Sequence, residues 1–387
     1  MEQINYGLYF TRSFITLIDE ILGDLYSRTL KREHFLQLFY TIERGRNFNN
    51  NATELSSNIR LNFGLYGGIG SRQWRFAELI RICEERNILY STTYSKGNYC
   101  KSYGYTTDFI SKIIIEEIDF QFCEISEKTY NNIYKYLKIP ENPILLKHYK
   151  TINELNIDLN KAEVFAKECT GERLLRTVRE ISIIHNNEKL IVAQDNKTGR
   201  IFTSFNLMKK ELREFCSYKG ESLKSLDLKS SQPYFLASLL LKENPYNKEV
   251  KKFYELVTEG DLYEWLEEKW GGFEYRSKEE TRNFVKKLFF AYLYKKNQGT
   301  NCAQMVFQDN FPEVYKIIKE RKRSEELWLT LQKVESSIFI PVANQFVERG
   351  CLSVHDALYF PASLEEEVFS ALIYKFSTFN LINYKLY

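Results

Sequence analysis

SLKSLDLKSSQPYFLASLL, residues 222–240, reads as a short strand that hands over to a helix. Residues 223–228 form the strand, a polar run follows, and Pro233 suits the first turn of the helix. Asp227 stands at the end of the strand with Leu228 beside it. An aspartate there projects its carboxylate from a sheet while the next carbonyl points the same way, and Mg²⁺ prefers hard oxygen ligands of this kind.

A second strand signal lies at residues 351–361, CLSVHDALYFP. Residues 352–354 and 358–360 are the strands, and His355-Asp356 forms a hairpin-like turn between them. Asp356 has two readings, an ordinary turn aspartate or a functional carboxylate. Between the two segments lies TRNFVKKLFFAYLYK, residues 281–295. Arg282, Lys286, Phe290 and Tyr294 are each four residues apart, so on a helix they form one slowly turning stripe. Two cations and then two rings suit a triphosphate clamp followed by a base-stacking platform. The other reading is an amphipathic helix with its charges in water. Over residues 269–296 eight Lys or Arg stand against three Glu, a local charge of +5 on a chain whose net charge is only +3. Such a patch is either a solvated face or a phosphate-facing surface.

Together these segments resemble family A DNA polymerases and, more distantly, the single-subunit phage-type RNA polymerases. In that superfamily the first motif opens with a metal-binding Asp on a strand, matched by Asp227. The fingers helix carries Arg-x3-Lys-x3-Phe-x3-Tyr, matched by Arg282, Lys286, Phe290 and Tyr294. The last motif is His-Asp in a hairpin, matched by His355 and Asp356. KTGRIFTS, residues 197–204, resembles the Thr-Gly-Arg segment upstream, with Arg200 in the place of the Arg that contacts primer–template. GDLYEWL, residues 260–266, resembles the segment before the fingers helix. The family's order is kept, and the resemblance covers roughly residues 190–365.

The resemblance implies an α+β fold: a right-hand polymerase palm on an antiparallel sheet, with helical fingers and a mainly helical N-terminal region ahead. The corresponding domains are 1–115 (accessory), 116–190 (helical, thumb-like or linker) and 191–387 (palm, with fingers inserted at about 244–330). It implies primer extension by two-metal-ion catalysis. Asp227, Asp356 and the Leu228 carbonyl would hold two Mg²⁺, with Mn²⁺ as a substitute. Arg282 and Lys286 would neutralise the triphosphate, Phe290 and Tyr294 would meet the base and sugar, and Arg200 and His355 would contact the primer–template. The expected partners are a primer–template nucleic acid and nucleoside triphosphates.

Several residues depart from the family pattern. Gln232 stands where the DNA polymerases carry the Glu that helps exclude the ribose 2′-hydroxyl, and Ala357 follows His-Asp where Glu is usual. Ala291 and Lys295 replace glycines. These leave the sugar undecided, so a primase or single-subunit RNA polymerase using ribonucleotides is the nearest alternative. A replication initiator or regulator that binds nucleic acid with an inactive palm is the alternative of another class. The catalytic carboxylates are only 129 residues apart (356 − 227), and no exonuclease pattern is present. A lone palm of this kind suits a phage, plasmid, mobile element or defence system.

Upstream, residues 1–45 read as helical and 47–51 (NFNNN) as a loop. Residues 71–87 read as a helix capped by Ser71, with Trp74, Leu79, Ile80 and Ile82 on its apolar side. Residues 88–106 read as a hairpin turning at Lys96-Gly97-Asn98. A helix followed by a basic hairpin resembles a winged helix, and a small structural domain without a ligand is the alternative. Residues 107–190 read as mainly helical. Seven scattered cysteines without a Cys-x-x-Cys pair point to a reducing compartment. No secretory pattern opens the chain, and no apolar run approaches the roughly 18 residues that span a bilayer. The expectation is a cytoplasmic protein without a membrane partner.

Overall fold

The computed structural model describes residues 7–26, 31–48, 59–60, 71–91, 102–113, 118–127, 130, 139–188, 191–271, 277–294, 302–324 and 326–387. It is a mixed α+β structure with small antiparallel sheets. The chain divides into two compact units. One comprises Met1–Asn142, Ile152–Val192 and Thr203–Ser222; the other comprises Pro143–Thr151, Ala193–Phe202 and Leu223–Tyr387.

The first unit holds a core in which Phe14, Phe35, Phe39, Tyr105 and Phe109 are buried. Residues 1–45 are not simply helical. The strand Gly7–Thr11 pairs antiparallel with Phe120–Glu124, and helices follow at Arg12–Leu22 and Arg32–Phe48. The second helix takes in Asn47 and Phe48 of the expected loop, and 49–51 lie outside the described residues. Ser71–Glu85 is helical as expected, with Leu79, Ile80 and Ile82 buried. The side chain of Trp74 lies outside the described residues. The hairpin strands form at Leu89–Ser91 and Ser102–Tyr105, joined by Ile59–Arg60; the turn at 96–98 lies outside the described residues. Residues 107–190 include the strands Phe120–Glu124 and Leu155–Ile157 besides their helices. Cys83, Cys123, Cys169, Cys216 and Cys351 are buried free thiols. Among the described residues no helix is long and apolar enough to cross a membrane.

The second unit is built around one antiparallel ladder. Leu223–Asp227, the part of the strand Glu221–Asp227 in this unit, pairs with Ala357–Pro361, which pairs in turn with Leu352–Val354. The pattern of residues 352–361 makes this ladder: all eight strand residues are buried, so the two strands sit inside the unit and the turn between them reaches its surface. Helices cover it. Leu327–Phe346 packs on Glu365–Thr378 and on Ser231–Glu243, and Leu262–Trp270 packs on Lys278–Tyr294. Leu236, Phe253, Phe289, Phe307, Phe339 and Leu358 lie in their shared core. Each such side chain contributes roughly 1.5–3 kcal/mol relative to exposure.

Candidate active site

Two turns bring the backbone of the sequence-predicted residues Asp227 and Asp356 together. The strand Glu221–Asp227 ends on Asp227, which stands opposite Ala357 in the ladder. The hairpin Leu352–Val354 to Ala357–Pro361 turns through only His355 and Asp356. The Leu228 amide donates to the Asp356 carbonyl at 3.2 Å, so Asp227-Leu228 and Asp356 are immediate neighbours. Asp227 and Asp356 are both half-buried.

Both turns carry a strained residue. His355 has φ +56° and Ser230 has φ +52°, the left-handed region that disfavours any side chain with a Cβ. Ser230 leads into the helix Ser231–Glu243, so the chain reverses within three residues of Asp227. His355 is exposed, and its ring meets Phe202 edge-on at 6.1 Å.

The other edge of the Asp227 strand is held by the last residues of the chain. The Asp227 amide donates to the Tyr387 carbonyl at 2.8 Å, and the Tyr387 amide donates to the Asp227 carbonyl at 3.0 Å. Lys229 donates to the Lys385 carbonyl at 3.0 Å, and Leu228 bridges to Leu386. No sequence signal marks this tail pairing, since residues 385–387 are too few to read as a strand.

The predicted stripe is a continuous helix face. Lys278–Tyr294 is helical; the Lys286 ammonium lies 5.9 Å from the Phe290 ring centre, and the Phe290 and Tyr294 rings are 5.4 Å apart. Lys286 is exposed, whereas Phe290 and Tyr294 are half-buried. Arg282 lies over the Tyr263 ring at 5.2 Å and donates through Nε to Glu264 Oε1 at 3.0 Å. Of the basic run at 269–296, Arg276, Lys295 and Lys296 lie outside the described residues. Burial pushes the Tyr263 and Tyr294 hydroxyls to higher pKa, and the Asp356 carboxylate adds to the rise in both. The helix stripe and the His-Asp hairpin therefore share one electrostatic neighbourhood.

Arg200 joins the same cluster through a residue that the motifs missed. The turn at residues 195–200 is built by the Asp195 carboxylate, which accepts from the Thr198 amide at 2.8 Å and from its hydroxyl at 2.5 Å. Gly199 adopts φ +77° there, the conformation that calls for glycine in this turn. Ser336 clamps the turn from below by donating to the Thr198 carbonyl at 2.6 Å. Beside Ser336, Glu335 accepts Arg200 Nε at 2.9 Å and Nη2 at 2.6 Å on Oε1. Its Oε2 accepts the Gln232 Nε2 donor at 2.5 Å. Burial drives the Glu335 pKa up to about 7 against the pull of Arg200, with Asp356 reinforcing the rise. A buried charge is costly unless compensated, and here the compensation is Arg200 and Gln232. The sequence carried one faint signal for Glu335: it sits at helical spacing from Leu331, Ile338 and Phe339, on an otherwise apolar face.

The donor set suits a hard cation. Asp227, Asp356 and the Leu228 carbonyl are all oxygen donors. Among the described residues no three His, Cys, Asp or Glu group into a metal site. Two carboxylates leave coordination positions for water and phosphate oxygens, which is the arrangement Mg²⁺ favours at phosphate-handling sites. Set against protein-family models and against curated proteins, the chain matches none.

Proposed function

We propose that this chain is a template-dependent nucleotidyltransferase, a small DNA polymerase that extends a primer. The observation that carries the reading is the convergence in one unit of Asp227 and Asp356 with the Arg282–Tyr294 stripe and Arg200. A polymerase palm with helical fingers is the arrangement this convergence favours.

In the proposed reaction the primer 3′-oxygen attacks the α-phosphorus of the incoming nucleotide. A new P–O bond forms as the 3′-hydroxyl proton passes to water, the bond to the β-phosphate oxygen breaks, and pyrophosphate leaves. Asp227 and Asp356, with the Leu228 carbonyl, would hold two Mg²⁺. When bound, these ions lower the pKa of the attacking hydroxyl and offset charge on the leaving group. Lys286, exposed on its helix, would neutralise the triphosphate. Arg282 shares that role once it exchanges Glu264 for phosphate, a swap of one acceptor for another. Phe290 and Tyr294 form a paired aromatic surface for the base and sugar. His355, which shares its turn with Asp356, and Phe202, whose ring meets it, would meet a primer terminus as it reaches the carboxylates. The helix Ser71–Glu85 with its hairpin is proposed as an accessory nucleic-acid contact. Arg81 of this helix is already engaged by Glu85, and Arg86, just past its end, by Asp24.

The reading is tested by extending a labelled primer on defined DNA and RNA templates with Mg²⁺ and either deoxynucleotides or ribonucleotides. Template-directed extension supports it, and the nucleotide set that is used decides between DNA polymerase and primase or RNA polymerase. Retained binding of the primer–template with no incorporation under any condition would instead favour a nucleic-acid-binding protein with an inactive palm.

A further inference from the structure

Glu335 lies on the helix Leu327–Phe346, outside every polymerase-like motif, yet it joins two of them. One carboxylate oxygen takes the Arg200 guanidinium and the other takes the Gln232 amide nitrogen. An ionised carboxylate only accepts hydrogen bonds, and the two Arg200 contacts on Oε1 favour that form of Glu335. Gln232 must therefore turn its NH2 group toward Glu335, which fixes the orientation of the amide and commits its carbonyl oxygen to the opposite side.

That carbonyl oxygen, Gln232 Oε1, is buried and has no hydrogen-bond partner among the described residues. Buried acceptors are nearly always paired, so this one, on the helix that follows Asp227, is open to a donor the chain itself does not supply, water or a group of a ligand. Ionised phosphates cannot provide one, because they only accept. The base donors of an incoming nucleotide face its template partner. The sugar hydroxyls are the donors that remain.

Glu335 also explains why residue 232 is glutamine. A glutamate there would set two carboxylates about 2.5 Å apart in a buried site, and like charges so placed cannot both ionise. The two residues form a matched amide–carboxylate pair.

We propose that Glu335 is a positioning residue of the nucleotide site, which locks the Gln232 amide so that its carbonyl oxygen accepts a sugar hydroxyl of the incoming nucleotide. The proposal rests on the nucleotidyl-transfer reading and names the part of the substrate that Gln232 senses. By holding Arg200 with its other oxygen, Glu335 ties that contact to the proposed primer–template side.

The test compares single-nucleotide incorporation with ribo-, 2′-deoxy-, 3′-deoxy- and 2′,3′-dideoxynucleotides, alongside thermal denaturation and nucleotide binding. In the unmodified chain, removing the sensed hydroxyl should raise KM by about tenfold or more, as expected when a site built for a hydroxyl loses it. Gln232→Leu and Glu335→Ala should shrink that penalty to less than about threefold. The exchange variant Gln232→Glu with Glu335→Gln should restore it. In that variant the amide at position 335 would accept from Arg200 and donate to the carboxylate at position 232, which keeps every hydrogen bond. If Glu335→Ala does not fold, Glu335→Gln, which keeps the shape, decides the question. A chain that incorporates nucleotides but shows no hydroxyl penalty would overturn the proposal and leave the polymerase reading standing. So would a Glu335 variant in which kcat falls equally for every nucleotide while the penalty persists. A chain that neither binds nor incorporates nucleotides would overturn both.

Discussion

At the residue scale, His355 is where the hairpin concedes stability for placement. A Cβ at φ +56° costs about 1–2 kcal/mol, and the turn keeps a histidine there all the same. His355→Gly and His355→Ala both lose the imidazole and differ only in the Cβ. The glycine variant should therefore be more stable than the alanine variant by about 1 kcal/mol in denaturant unfolding. Equal stabilities would mean that the turn is not strained at this position. Glu335 supplies a second prediction, in pH. Its folded pKa, raised to about 7, lies above the ordinary 4.5, so the folded chain keeps a proton that the unfolded chain releases. That contribution is fully present below about 4.5 and is lost as pH rises through about 7. Stability should fall over that window, and Glu335→Gln should flatten the fall. A stability that rises through the same window in the parent and falls in neither protein would contradict the assignment. Glu335 was hard to see in the sequence because a lone glutamate on a helix ordinarily marks the wet face. Only its spacing from Leu331, Ile338 and Phe339 hinted at burial.

Among the elements, the His-Asp hairpin was legible almost to the residue. Its two short apolar runs flank a two-residue turn, so strand identity and register follow together. The Arg282–Tyr294 stripe was equally legible, since a spacing of four fixes a helix face. The strand Gly7–Thr11 was not, because its partner Phe120–Glu124 lies more than 100 residues away and a five-residue apolar run fits a helix as well. The tail at 381–387 was invisible for the same reason, and it has consequences. Besides its backbone pairing with Asp227 and Lys229, the Ile382 carbonyl accepts the buried hydroxyls of Tyr234 at 2.8 Å and Tyr254 at 2.7 Å. Removing residues 381–387 should cost about 1 kcal/mol per lost bond, several in all, and should impair extension by loosening Asp227. Tyr387→Ala keeps the backbone bonds and should cost under about 1 kcal/mol. A truncated chain that unfolds at the parent's denaturant midpoint would show that the tail does not hold the strand.

Across the whole molecule, the residues proposed for chemistry are gathered in one of the two units, although they come from sequence positions 200 to 356. Arg200 illustrates how this happens. The segment Ala193–Phe202 belongs to the second unit while the residues on either side of it belong to the first. Such an excursion is not readable from composition, and only the Thr-Gly-Arg signature announced it. The half-buried pair Asp227 and Asp356 is the centre of the proposed reaction. The most direct measurement is Mg²⁺-dependent extension of a labelled primer by the parent chain and by Asp227→Asn and Asp356→Asn, each checked for folding by thermal denaturation. The parent should extend the primer, and each folded variant should lose at least about 10³-fold, the scale expected when a metal-holding carboxylate is removed. Extension at the parent's rate by either variant would rule out a metal-holding role for that carboxylate.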